Sequence, residues 1–325
     1  MEAEFHRRDW PYRSAFSIAY KTQTHACTVV VQLKEGSVIG RGEALGVSYH
    51  GETADSVLEQ LNTVRSQLSD GLTRRELQEL LPPGGARNAV DCALWDLEAK
   101  RLGSRVWELA GIPSVGVLKT DYTLGVDMPD SMGRAAAAVP QYSVLKVKLN
   151  GEGDLERVEA VRAARPNAEI IVDANQAWSE QQLVAFTPRL AELGVRLIEQ
   201  PLPMGQDAAL VGFDSPVPLC ADESCQTTQS LAAIVGKYQY INIKLDKTGG
   251  LTEALRVVRA ARGQGLKLMV GCMGGTSLSM APAFVIGQFC DFIDLDGPLL
   301  IRGDVPFPIQ YDGERMSAPP PGLWG

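Results

Sequence analysis

Residues 143–176 read SVLKVKLNGEGDLERVEAVRAARPNAEIIVDANQ. Two short apolar runs, VLKVKL and EIIVD, flank DLERVEAVRAARP, whose apolar residues recur at helical spacing. Strands that are apolar along their whole length are buried on both faces, which is the signature of a parallel sheet covered by helices. The same rhythm extends in both directions. KTDYTLGV (119–126), RLIEQPL (196–202), PLCADES (218–224), YINIKLD (240–246), KLMVGC (267–272) and FIDLDGP (292–298) bring the strand candidates to eight, about 22–27 residues apart. Helical stretches such as GLTEALRVVRAARGQG (250–265) lie between them. Eight strand–helix units in succession favour a closed α/β barrel over an open doubly wound sheet. Only about 25 residues follow the last strand, too few for a full eighth helix. The expectation is a modified TIM barrel, (β/α)7β, over residues 114–300, with 301–325 returning to the N-terminal unit.

Residues 1–113 have a different rhythm. ACTVVVQL (26–33) and SVIGRGEA (37–44) read as two strands joined by a turn at Glu35-Gly36, and helical patterns follow at 52–69, 73–81 and 85–102. The last pattern places Ala89, Ala93, Leu94 and Leu97 on one face and stops at Gly103. Strands followed by helices predict a small α+β capping domain.

Composition narrows the class. The chain has 325 residues, 45% hydrophobic and 22% charged, with a net charge of −8 and dispersed lysines and arginines. No basic face suits nucleic acid. No apolar run reaches the ~20 residues that span a bilayer, and MEAEFHRRDW lacks the apolar core of a signal peptide. Six cysteines without a CxxC pair read as free thiols in a reducing cytoplasm. A small-molecule partner is expected. The sequence is compatible with a homo-oligomer and does not specify one.

Chemistry in such a barrel sits at the C-terminal ends of its strands. Here the second strand carries Lys146 and Lys148, the third Asp173, the fourth Glu199, the fifth Asp222 and Glu223, the sixth Lys244 and Asp246, and the eighth Asp294 and Asp296. Singly these have plain explanations: Lys-x-Lys is usually a solvated strand edge, and an Asp after a parallel strand often caps the next helix. Embedded in apolar runs, however, the charges must point to the barrel mouth and find partners there. Asp173, Glu199 and Asp222 end successive strands, so three carboxylates converge, and they repel unless a cation joins them. An all-oxygen ligand set favours a hard ion such as Mg²⁺, one per subunit. His6, His25 and His50 all precede the barrel. Lys148 and Lys244 flank this cluster from either side. The Lys146 ammonium and a cation nearby disfavour the charged form of Lys148, which suits a general base. A substrate held between two such lysines can lose a proton to one and regain it from the other, which inverts a stereocentre.

The motifs ARNAVDCALWDLEAK, LKVKL, IVDANQAW, EQPLP, ADES, NIKLDKTGG, GCM and DLDGP together resemble the enolase superfamily, and within its muconate-lactonising subgroup the dipeptide epimerases. The resemblance covers essentially the whole chain. It implies that Asp173, Glu199 and Asp222 hold Mg²⁺, that Lys148 and Lys244 are the acid/base pair, and that Lys146 is an auxiliary lysine. It further implies that Asp294 and Asp296 grip the free ammonium of a dipeptide, that Thr123, Cys272 and Gly274 line the substrate pocket, and that the setting is recycling of peptidoglycan peptides. That superfamily sites pair a lysine or histidine base with Mg²⁺ is a general pattern. The first N-terminal loop departs from the pattern. Enzymes of this group acting on L-Ala-L/D-Glu carry an Arg there, whereas SIAYKTQTHAC (17–27) places Tyr20 at that point with Lys21 beside it. Either Lys21 replaces the Arg as a point charge, or Tyr20 marks a different second residue. Asp246 is open between a site role and a local ion pair with Lys247. Other reactions of the scaffold (cycloisomerisation, o-succinylbenzoate synthesis, N-acylamino acid racemisation) remain alternatives, as does a catalytically silent binding protein.

Overall fold

The structure is a computed structural model that describes all 325 residues. Three antiparallel strands open the chain: β1 (Glu2–Ile18), β2 (Lys21–Glu35) and β3 (Val38–Ala44), in that order across the sheet. The longest of them, β1, is absent from the strands expected from sequence. It is an edge strand with few buried positions, so EAEFHRRDWPYRSAFSI shows no apolar alternation, and Pro11 is tolerated because an edge leaves N–H positions unpaired. Four helices follow: α1 (Ala54–Thr63), α2 (Arg65–Ser69), α3 (Arg74–Leu80) and α4 (Gly85–Leu102). The stretch expected as one helix over 52–69 is thus divided at Val64.

The α4 helix joins the cap to the barrel. Glycines on β3 let it approach closely: a Cβ at Gly42 would stand 2.1 Å from the Ala89 carbonyl oxygen. Its other sides face the barrel, where Arg87 Nη2 donates to Thr248 O (2.7 Å), Asp91 Oδ2 accepts the Thr252 N–H (2.9 Å) and Trp95 Nε1 donates to Thr252 Oγ1 (3.0 Å). This explains why a helix with so many polar residues is buried almost throughout.

After a single turn, α5 (Val106–Leu109), and a short strand β4 (Leu118–Lys119), eight parallel strands run in chain order around one sheet: β5 (Tyr122–Leu124), β6 (Val144–Lys148), β7 (Glu169–Asp173), β8 (Val195–Glu199), β9 (Leu219–Ala221), β10 (Tyr240–Ile243), β11 (Lys267–Val270) and β12 (Phe292–Ile293). The sheet curls until its ends meet, with Asp121 N donating to Ile293 O (2.9 Å) and Leu295 N to Thr120 Oγ1 (3.0 Å). The α/β barrel with an antiparallel capping unit is therefore as expected. Helices α6 (Pro129–Ala137), α7 (Asp154–Ala164), α8 (Glu180–Glu192), α9 (Leu245–Thr248), α10 (Leu251–Gly263) and α11 (Ser277–Gly287) connect most strands, and α12 (Gly297–Leu300) follows the last. The connections after β8 and β9 contain only 3₁₀ turns, Asp207–Leu210 and Thr228–Ala233. Prolines 201, 203, 216 and 218 break helical spacing in the first of these.

The last residues pack on the cap. Trp324 Nε1 donates to Cys92 O (3.1 Å), Gly325 N to Asp96 Oδ1 (2.6 Å), and Arg41 Nη2 to Leu323 O (2.6 Å). Inside the barrel, Ile171, Leu197, Cys220, Tyr240 and Met269 form a separate apolar layer. Ile171, Leu197, Cys220 and Tyr240 each stand two residues, one inward step, before a polar residue at or just past the end of the strand, namely Asp173, Glu199, Asp222 and Asn242, and Met269 stands so before Gly271. The apolar layer thus floors a polar one at the mouth. No helix is long and apolar enough to cross a membrane.

Candidate active site

Strand register sets the site. Lys148 pairs with Asp173 and Asp173 with Glu199, so the three stand in one row across β6, β7 and β8. The carboxylate oxygens of Asp173, Glu199 and Asp222 come within 4.8 Å of one another, all buried. Lys148 Nζ lies 2.6 Å from Asp173 Oδ2, and Lys244 Nζ lies 2.7 Å from Asp222 Oδ2. Lys146, one inward step below Lys148, is fully buried and touches Asp294 (2.6 Å), Glu199 (2.6 Å) and Asp173 (3.2 Å). Gly271 gives Lys244 its room, since a Cβ there would press on Asn242 and on the Lys244 Cε at 3.0 Å.

Two features mark this as a site that holds charge under strain. Asn175, Gln176 and Gln200 have positive φ angles of 42°, 70° and 34° and follow closely on Asp173 and Glu199. Such backbone persists only where its surroundings enforce it, and functional sites are where it concentrates. Charge is also unbalanced. Seven buried carboxyls (Asp121, Asp173, Glu199, Asp222, Glu223, Asp294, Asp296) face four buried lysines (146, 148, 244, 247), an excess of three. The strain shows in the acidities. Burial resists ionisation of Asp173, but Lys148 and Lys146 hold it at about 2. Burial and Asp173 push Glu199 up to about 7, and burial with Asp222 pushes Glu223 up to about 8. Burial opposes the charge on Lys244, yet Asp222 and Glu199 keep its ammonium well above the ordinary lysine value.

A hard cation fits the three carboxylates. All donors are oxygen, and Glu199 Oε2, although 2.6 Å from Lys146 Nζ, has no aligned hydrogen-bond donor. Asn242 Nδ2 holds the other Glu199 oxygen at 2.7 Å. Lys247 clamps Asp222, bonding its Oδ1 (2.6 Å) and its carbonyl, and also Asn242 O (2.9 Å).

The remaining expected residues line the same cavity of about 370 Å³ that Lys148 and Lys244 face. Asp294, Asp296 and Thr123 form one end, with the Thr123 N–H donating to Asp296 Oδ2 at 2.7 Å. Cys272 and Gly274 form the adjoining wall. Gly274 has φ 102°, and a Cβ there would meet Tyr12 Oη at 3.4 Å. The cap supplies the roof. Tyr20 lines it but is half exposed, whereas Lys21 reaches inward, bonds Ser48 Oγ at 2.8 Å, and is lowered in pKa by burial and by the Lys148 ammonium.

Asp246 does not pair with Lys247. Lys247 turns to Asp222, and Asp246 Oδ1 accepts the cap N–H groups of Leu45 (3.1 Å) and Gly46 (2.9 Å). These adjacent residues leave α9 on different sides, so one reaches the barrel axis and the other the cap. Sequence reasoning did not single out Asp121, Asn175, Ser48 or Tyr49, and it weighed Lys247 only as a partner of Asp246. For Asp121 the signal was present, an acid inside the apolar first strand, whereas Ser48 and Tyr49 come from a cap loop with no pattern of its own.

Residues 131–323 match the enolase C-terminal domain-like family, and residues 1–111 match the N-terminal domain of the mandelate racemase/muconate lactonizing enzyme family. The chain belongs to the enolase superfamily. Among its relatives, the L-Ala-D/L-Glu epimerase of Escherichia coli K12 is 45% identical over 93% of this chain and 95% of its own. The N-acetyl-D-glutamate racemase of a Pseudoalteromonas species is 40% identical over 91% of this chain and 95% of its own. A solved enolase family member from Agrobacterium tumefaciens, described as homologous to dipeptide epimerases and bound to sodium and L-Ala-L-Glu, superposes with a TM-score of 0.97. It is 43% identical over 99% of both chains. Epimerases and racemases are isomerases, and this superfamily member is an enzyme of that class.

Proposed function

We propose that the chain is a Mg²⁺-dependent dipeptide epimerase that inverts the α-carbon of the C-terminal residue by two-lysine proton transfer. One observation carries the reading: two lysines on separate strands flank a carboxylate triad, with an aspartate pair at one end of the same cavity. Asp173, Glu199 and Asp222 would hold the ion. When bound, it supplies Lewis-acid charge to the substrate carboxylate and so acidifies the adjacent C–H. Lys148 and Lys244 then serve as opposed base and acid: one takes the α-proton from one face and the other returns a proton to the opposite face. Lys146, held cationic by Asp294 and Glu199 despite its burial, contributes fixed positive charge beneath the reacting carboxylate. Asp294 and Asp296 take the substrate ammonium, and Thr123, Cys272 and Gly274 shape its backbone. A divalent ion offsets two of the excess of three carboxyls. The cap encloses the substrate, and the Lys21 ammonium faces its side chain, which favours an acidic C-terminal residue as in L-Ala-L/D-Glu. Six free cysteines suit a reducing compartment, so we place the enzyme in the cytoplasm.

The 40%-identical N-acetyl-D-glutamate racemase keeps an N-acylamino acid substrate as the second reading. A dipeptide library in D₂O with Mg²⁺, with N-acetylglutamate alongside, decides between them by mass spectrometry. Deuterium uptake at the C-terminal α-carbon of Ala-Glu-type dipeptides is the expected result. Exchange confined to N-acetylglutamate, or no exchange in any dipeptide, overturns the proposal.

A further inference from the structure

Asp173 and Glu199 lie within the strand ladder, but β9 ends at Ala221, just before Asp222. Sheet register therefore does not hold Asp222, whose N–H donates instead to a side chain, Gln200 Oε1, at 2.9 Å. Gln200 follows Glu199 directly and is fully buried, outside the lining of the substrate cavity. The same Oε1 accepts the Ser224 N–H at 3.1 Å, and Nε2 meets Leu202 O (2.9 Å), Ser224 Oγ (3.0 Å) and Tyr238 Oη (3.2 Å). The main chain of Gln200 is tied as well. Its N–H donates to Cys220 O (2.8 Å), and its carbonyl accepts the Gln176 N–H (2.8 Å) from the turn after Asp173. The segments carrying Asp173, Glu199 and Asp222 thus meet on one residue. That residue has a φ of 34°, a strained backbone for any side chain. Glycine would adopt it without strain, and what glutamine adds is the amide.

We propose that Gln200 is a positioning residue that fixes the spacing of Glu199 and Asp222 before the ion arrives, and so sets both the affinity of the site for Mg²⁺ and its preference for that ion over a larger one. This rests on the reading of Asp173, Glu199 and Asp222 as the ion's ligands. Contacts behind a metal ligand act on affinity by orienting it. Mg²⁺ demands near-ideal octahedral geometry from its oxygens, whereas the larger Ca²⁺ tolerates irregular sets. A frame that holds two carboxylates at one spacing therefore favours the smaller ion. Without the Gln200 amide, the Asp222 and Ser224 N–H groups lose their acceptor. The bonds from Lys244 and Lys247 to the Asp222 carboxylate then act on a main chain that is no longer tied to Glu199.

Calorimetric titration of the metal-free full chain with Mg²⁺ and, separately, with Ca²⁺ reads both quantities. In Gln200→Leu the Kd for Mg²⁺ should rise about 10–100-fold, and the Kd for Ca²⁺ clearly less. Tyr238→Phe removes one partner of Gln200 Nε2 and the donor to Asp207 Oδ1 (2.6 Å), but leaves the Asp222 N–H on Gln200. It should lower the melting temperature and keep both wild-type Kd values. Gln200→Asn, which draws the amide back by one methylene, takes the place of Gln200→Leu if that variant does not fold. An unchanged Kd for Mg²⁺, or equal weakening of both ions, overturns the proposal. So does a Tyr238→Phe variant whose Mg²⁺ affinity falls as far as that of the Gln200 variant. A wild-type chain that takes up neither ion removes the metal reading together with this inference, whereas wild-type binding that persists unchanged in the Gln200 variants removes only this one.

Discussion

Lys148 and Lys244 reach one carboxylate cluster from different strands, Lys148 Nζ standing 2.6 Å from Asp173 and Lys244 Nζ 2.7 Å from Asp222. If each serves one face of the substrate, removing one abolishes inversion without abolishing every proton transfer. Lys244→Ala should lower epimerisation by about 10²–10⁴-fold yet keep solvent exchange from one stereoisomer through Lys148. Proton NMR in D₂O, started separately from each epimer, reads both. Normal epimerisation by Lys244→Ala would show that the two lysines do not form the acid/base pair.

Lys21 is tied to Ser48 at 2.8 Å, and burial, together with the nearby Lys148 ammonium, disfavours its charge. A substrate carboxylate would relieve that repulsion. Lys21→Gln should therefore raise KM for L-Ala-L-Glu by about 10-fold, the equivalent of about 1.4 kcal/mol, with kcat little changed. A dipeptide with a neutral second residue should be spared. Steady-state kinetics on both substrates test this, and equal losses would mean that Lys21 acts on the cap loop alone.

Asp246 holds two backbone N–H groups of the cap, those of Leu45 and Gly46. Asp246→Ala leaves both without their acceptor, at a cost of about 2–4 kcal/mol in stability. It also loosens the loop that carries Ser48 and Tyr49 over the cavity, so KM should rise. Urea unfolding followed by kinetics separates the two effects. Unchanged stability would mean that the cap is held elsewhere.

Glu43 on β3 is fully buried and accepts from Thr276 of the barrel. Burial raises its carboxyl from the ordinary 4.5 to about 7. Because the folded state binds this proton more tightly than the unfolded chain, ionisation costs stability. The cost is absent below about pH 4.5 and grows until the pH passes about 7, where it reaches about 3 kcal/mol. Glu43→Gln removes the titration, so its stability relative to wild type should improve between pH 5 and pH 8. Melting temperatures of both proteins across that range provide the check, and a constant offset would contradict it.

Much was legible before any fold was known. The eight-strand rhythm is a property of local sequence, because strands buried on both faces must be apolar along their length. The charged residues Asp173, Glu199, Asp222, Lys148 and Lys244 stood out for the same reason, as charges inside runs that tolerate none without a partner. The edge strand β1 escaped notice because solvent covers most of its residues and no alternation results. The 3₁₀ connections after β8 and β9 escaped because helical spacing is a weak signal in short segments.

What the sequence by itself determined is the barrel and the residue types at its mouth, both consequences of periodicity and burial. Tertiary structure alone decided who pairs with whom. Strand register put Lys148 beside Asp173 and Asp173 beside Glu199. Curling of the sheet brought Asp121, just before the first barrel strand, against Asp294 and Asp296, just after the eighth. The turn of α9 sent Lys247 to Asp222 and Asp246 to the cap. Contacts between residues more than a hundred positions apart depend on closure of the barrel and docking of the cap, and no local pattern encodes either distance.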